Sequence, residues 1–161
     1  MDKHQMLEEW HFRVRRSHFA HHTAAANYEK MNRYLGIPAI ILSTIVGTTI
    51  FATLQQSTSI YIEILVGLFS ISAAVLTSLN TFLGYSERAD KHKIAAVKYG
   101  DLRTEIEQYM RFPSEENFEK VLESFRNRWK KQNEESPIIS EKLWKQVEKA
   151  IGTRSRGPAK S

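Results

Sequence analysis

An all-α membrane protein built on a two-span helical hairpin is what this sequence predicts, and three observations carry the expectation. Tyr34 to Ser86 is a stretch of 53 residues with one charge, Glu63. The polar pentapeptide Gln55-Gln56-Ser57-Thr58-Ser59 divides it into two apolar runs. Each run is close to the ~20 residues that a helix needs to cross a hydrocarbon slab of ~30 Å. No segment elsewhere alternates with the two-residue period of a strand.

The mean hydropathy of −0.42 averages very polar arms with this very apolar centre. Core helices of a soluble domain are the rival reading. They rarely run so long without a charge, and two in tandem are rarer still. The first 33 residues carry ten charges, which excludes a secretory leader there. The chain has no cysteine, which fits a reducing interior and removes disulfide or thiolate–metal designs.

Taken in order, residues 1–33 form an N-terminal arm. From about Leu7 to Arg33, Trp10, Val14, His18, His21, Ala25 and Tyr28 recur at three- and four-residue steps, so this arm is read as one amphipathic helix. Gly36-Ile37-Pro38 marks the membrane entry, because a proline near a helix start lacks only an N–H that had no partner. The hairpin, 34–86, has spans at about 38–54 and 60–85 joined by an outer loop at 55–59. The second span is expected to continue unbroken to Arg111, since no proline intervenes before Pro113. Region 87–151 carries that extension, then a helix from about Glu115 to Gln132 capped by Ser114, then a short one from Glu141 capped by Ser140. Residues 152–161 read as a disordered basic tail.

Charge sets the expected topology. Six Lys/Arg precede the first span, 17 follow the second, and the connecting loop has none. Cationic flanks stay cytoplasmic, so both termini are expected there, with the loop outside.

In the second span, Glu63, Gly67, Ser70, Ala74, Thr77, Thr81 and Gly84 recur at alternating four- and three-residue steps, with Asn80 beside them. A repeat of 3.5 residues is the geometry of supercoiled helices, and in lipid such seams favour small residues. The default role is packing against the first span or another subunit. The functional role is lining a water-filled path in an assembly, which hydroxyls and an amide wet without burying charge. Glu63 reads either as an interfacial acid or as a ring at the outer mouth. In the first span, Ser43/Gly47 and Thr48/Ala52 are weak small-residue pairs.

His4, His11 and His18 fall seven apart, and His18 and His22 one turn apart. Two imidazoles at i and i+4 can grip zinc, but no third ligand accompanies them, so packing is the preferred role and no metal or cofactor is assigned. No phosphate loop, nucleophile elbow or catalytic set appears, so an enzyme is disfavoured. Two basic clusters remain: Arg13, Arg15 and Arg16, then Arg126, Arg128, Lys130 and Lys131 around Trp129. Anionic membrane lipids or a partner suit them at ~1 kcal/mol per cation; neighbouring acids dilute both, so a solvated face is the preferred role and direct nucleic-acid binding is disfavoured.

Three segments together carry a family resemblance. They are Trp10 and Tyr28-Glu-Lys-Met leading to Leu35-Gly-Ile-Pro-Ala-Ile-Ile-Leu-Ser-Thr-Ile-Val-Gly; then Ser72-Ala-Ala-Val-Leu-Thr-Ser-Leu-Asn-Thr-Phe-Leu; then Glu87-Arg-Ala-Asp-Lys-His-Lys with Tyr99-Gly-Asp-Leu102. Over Leu7 to Met110 the chain resembles the SLATT family, two-span bacterial effectors associated with SMODS nucleotidyltransferases and SLOG nucleotide-sensing proteins. The extension to Ile151 is similar to the SLATT group encoded beside defence reverse transcriptases. The resemblance implies an anti-phage or conflict-system effector of the bacterial inner membrane. It would form a homo-oligomer and permeabilise the bilayer when a separately encoded sensor, nucleotidyltransferase or reverse transcriptase triggers it. A membrane-anchored scaffold that recruits a cytoplasmic partner is the alternative.

Overall fold

The computed structural model describes residues 3–53, 59–113 and 117–155. Among them are five helices and no strand: α1 (Lys3–Thr53), α2 (Ile60–Leu83), α3 (Tyr85–Arg111), α4 (Phe118–Glu135) and α5 (Glu141–Ser155). They fall into two compact units. One joins the first part of α1, up to Ala26, to the chain from Ala89 onward; the other is Asn27–Arg88. We call them the bundle and the hairpin.

The bundle is organised by the amphipathic stripes. Leu7 and Val14 of α1 meet Tyr99, Leu102 and Ile106 of α3 and Phe118, Leu122 and Phe125 of α4 in one apolar cluster. Trp10 meets Trp129 edge-on, with ring centroids 5.9 Å apart. A second cluster sets Ala20 and Ala24 of α1 against Ile139, Leu143, Val147 and Ile151. The small alanines let α5 approach α1 closely. Each large residue fully buried in this way contributes roughly 1.5–3 kcal/mol.

The hairpin is dressed differently. Among its described residues, those buried are the alanines Ala39 and Ala73. Half-covered positions flank them at Leu35, Leu42, Val46 and Thr49 on α1, and at Val66, Phe69, Leu76, Asn80 and Leu83 on α2. Both sets step by alternating threes and fours, the pattern of two helices closed along one seam. α1 and α2 are each long and apolar enough to cross a membrane, and only 6% of either apolar window is buried. Core helices of a soluble protein would be mostly buried.

Two helix boundaries in the hairpin differ from the sequence expectation. α1 runs through Pro38 without a break, so the amphipathic arm and the first span are one helix. Proline leaves the Tyr34 carbonyl without its usual donor, a defect that spanning helices accommodate. The second difference is at Gly84. It adopts the left-handed conformation (φ 56°, ψ 36°) and its N–H bonds the Asn80 carbonyl at 3.3 Å, ending α2. α3 restarts at once, with the Arg88 N–H on the Gly84 carbonyl at 3.1 Å. Glycine reaches that conformation without the Cβ penalty, so the expected single rod from Ile60 to Arg111 is two helices.

At the C-terminal end, the Ser140 carbonyl receives the Leu143 and Trp144 N–H groups at 3.0 and 3.1 Å and opens α5. That helix reaches Ser155, into the stretch read as a tail. α4 begins at Phe118, after Asn117. Ser114, Glu115 and Glu116, where that helix start was expected, lie outside the described residues, as do loop residues 55–58 and tail residues 156–161.

Candidate functional site

The residues singled out on α2 lie beside the closed seam rather than in it. The covered positions 66, 69, 73, 76, 80 and 83 are one residue behind 67, 70, 74, 77, 81 and 84. One residue is ~100° of rotation on an α-helix. Glu63, Gly67, Ala74, Thr77 and Thr81 are accordingly exposed on a flank, while Ser70 and Gly84 sit half-covered at its edge. A Cβ added at Gly67 would meet nothing within 4 Å. Asn80 belongs to the covered seam. Its Nδ2 lies 3.7 Å from where a Gly36 Cβ would stand, and its buried Oδ1 has no hydrogen-bond partner.

Hydroxyls of both spans turn back onto their own helices. Ser70 donates to the Val66 carbonyl at 2.9 Å, Thr81 to Thr77 at 3.0 Å, and Thr44 to Ile40 at 2.9 Å. In hydrocarbon this satisfies the donor and leaves oxygen lone pairs as the unfilled valence. Such a flank can accept hydrogen bonds from water or from another chain. Glu63 sits in the first turn of α2, where its carboxylate complements the positive end of the helix dipole.

The bundle holds a polar pair that the motif reading did not single out. His21 of α1 and His92 of α3 face each other with Nδ1 atoms 3.0 Å apart, each ring only 3% exposed. The Tyr99 ring stacks on His21 at 5.3 Å and 17°, and its hydroxyl donates to Asn133 Oδ1 of α4 at 2.6 Å. Burial, with the neighbouring imidazole next, lowers His21 to about 4. Burial lowers His92 and raises the Tyr99 phenol. The signal was present, since His92 lies three residues before Ala95 on the buried stripe of α3.

His18 and His22 are not brought together on a common ligand. His22 is exposed, whereas His18 is half-buried against Gly100. Among the described residues, no three histidine, cysteine or acidic side chains gather where they could hold a metal ion.

The family model for the SMODS and SLOG-associating 2TM effector domain, family 4, matches residues 4–149. That range covers most of both units. The chain belongs to the SLATT family. No curated protein and no solved structure matches it. Membership makes the two exposed apolar helices the spans of a two-transmembrane effector domain, in agreement with their lack of burial.

In this SLATT chain, the exit motif Glu87 to Lys93 buries only Ala89 and His92, so the motif's histidine is the one paired with His21. Most of the basic residues considered for lipid or partner contact have internal partners. Arg13 pairs with Glu9, and Arg16 pairs with Glu148 while lying over Trp144 at 5.0 Å. Arg128 forms a two-pronged pair with Glu105, and Lys131 lies 3.8 Å from Glu135. Arg15 lies over Phe19 at 5.8 Å. Arg126 lines a groove with Met6, Trp10, Phe118 and Leu122, and Lys130 is exposed on α4.

Proposed function

We propose that this SLATT effector self-associates in the bacterial inner membrane through the uncovered flank of α2 and permeabilises the bilayer during an anti-phage or conflict response. Two helices cannot enclose an aqueous path, so several copies supply its wall. The observation that carries this reading is the rotation of the flank. Glu63, Gly67, Ala74, Thr77 and Thr81 are small or polar, yet the chain's own first span leaves them exposed. In lipid, small residues associate by close backbone approach, while hydroxyl lone pairs tolerate water. The Lys/Arg asymmetry supports a topology with both termini in the cytoplasm. A separately encoded sensor, nucleotidyltransferase or reverse transcriptase would supply the trigger, and the chain itself would carry out no catalysis.

The test is dye leakage and loss of membrane potential on induction, comparing wild type with Gly67→Leu and Thr77→Leu. Both variants should insert and keep the α1–α2 hairpin, while leakage falls at least tenfold. Undiminished leakage from both would remove the flank as the conduit. A second reading, recruitment of a partner without permeabilisation, is favoured by the groove of about 720 Å³ whose floor includes Met6, Trp10, Phe118 and Leu122. Reconstituted protein that binds its partner yet gives no conductance would select that reading.

A further inference from the structure

The His21–His92 contact joins α1 to α3, the two helices that lead to the two spans. Neither imidazole is more than 3% exposed, and their Nδ1 atoms are 3.0 Å apart. A separation that short needs a hydrogen between the two nitrogens, so one ring donates and the other accepts. Tyr99 stacks on His21, and Ala89, Ala95 and Ala96 share the buried face of α3 with His92. On α1, His18 lies one turn before His21 and is itself lowered, first by burial and then by Arg103 and His22. From α4 the facing group is Asn133, which holds the Tyr99 hydroxyl.

We propose that this contact is a proton-operated latch between α1 and α3, closed while the two imidazoles share one hydrogen and opened when the pair takes up protons. The first added proton enters the far nitrogen of the donor ring. The hydrogen bond survives, but a cation is then buried between two residues that are each only 3% exposed. The second proton enters the acceptor's Nδ1, replacing its lone pair with an N–H that faces another N–H. At 3.0 Å the contact fails and the helices must part. At neutral pH the latch is closed, because burial holds both rings below the ordinary histidine range. It lies in the bundle and stands without the permeabilisation reading; its effect on the membrane rests on that reading.

The chain has no cysteine, so spin labels can be placed on Ala26→Cys in α1 and Asp90→Cys in α3, both exposed. In nanodiscs, the inter-label distance should be single and narrow at pH 7.5. It should lengthen or broaden as pH falls from 6.5 toward 4. His21→Phe/His92→Phe, which stacks without titrating, should hold the closed distance across that range. An unchanged wild-type distance would overturn the latch, and so would a double variant that still opens with acid. Should the double variant not fold, NMR titration of the wild-type imidazoles decides. Assigned His21 and His92 rings that stay neutral well below the ordinary histidine range support the proposal, and both titrating within that range overturns it. Dye leakage from liposomes is read separately. Opening without leakage keeps the latch and removes the pore, whereas leakage with unchanged distance does the reverse.

Discussion

In the bundle large apolar side chains are buried, with Val14 at 0%, Ile106 at 1% and Tyr99 at 2% exposure. In the hairpin the large side chains lie outside. Ala39 and Ala73 are covered, while Ile71, Phe51 and Phe82 remain 64%, 80% and 86% exposed. One chain thus follows two packing rules because it meets two solvents. In water, burying large apolar area is the driving force. In lipid that area gains nothing by leaving the tails, so closeness between small residues decides which faces pair.

The largest effect that separates these rules comes from cutting the same side chain in both units. Ile106→Ala should destabilise the bundle by about 2–5 kcal/mol, through lost transfer energy and a residual cavity. Ile71→Ala, which faces outward, should cost below about 1 kcal/mol. Denaturant unfolding of the full chain in nanodiscs, followed by tryptophan fluorescence and circular dichroism, measures both. Equal costs would mean that the outward face of α2 is packed rather than bathed in lipid.

A second contrast uses pH. The hairpin has no histidine, whereas the bundle buries His21, whose folded value is about 4. Between there and the ordinary 6.5 the unfolded chain binds a proton that the folded chain refuses. Stability is therefore complete above pH 6.5 and is lost as pH falls toward 4. The loss reaches about 3 kcal/mol for this ring at ~1.4 kcal/mol per unit. The denaturation midpoint of the bundle should drop between pH 7 and 5. An unchanged midpoint would show that His21 already titrates normally.

The fold class was legible because its signals were long. A 53-residue stretch with one charge, and stripes such as Ala95, Tyr99, Leu102 and Ile106, survive any local ambiguity. Gly84 was not legible as a break, since an isolated glycine inside an apolar helix is ordinary and only its positive φ ends α2. The rotation of the α2 seam was invisible for a related reason. Both the 67-70-74-77-81-84 set and the set one residue behind it have heptad spacing, and periodicity alone does not say which one faces the first span. The histidine pair needed α1 and α3 to be docked: His21 and His92 are 71 positions apart, and the Glu87–Lys93 motif does not say which α1 residue meets its histidine.

Adjacent alanines turn the seam question into a measurement. Ala73 is buried and Ala74 exposed on the same helix. Ala73→Leu should wedge α1 from α2, weakening the hairpin by about 1–3 kcal/mol as overpacking does. Ala74→Leu should leave the hairpin intact and weaken association between copies. Intramolecular and intermolecular energy transfer between labelled helices separates the two outcomes. Reversed results would put the flank inside the hairpin and the seam outside it.

The smallest expected effects test the hairpin's backbone rather than its faces. Gly47 and Gly84 both have open space where a Cβ would be added, so neither substitution is decided by steric contact. Gly47 lies within helical α1, and Gly47→Ala should stabilise by about 0.5–1 kcal/mol because alanine loses less backbone entropy. Gly84 alone among the described residues has positive φ, where an L side chain costs about 1–2 kcal/mol. Gly84→Ala should therefore destabilise the break, or straighten it by extending α2 into α3. Unfolding of each variant in nanodiscs gives the sign, and helical content gives the choice between strain and straightening. If both alanines stabilise the hairpin with unchanged helical content, the left-handed residue at Gly84 is not what separates α2 from α3.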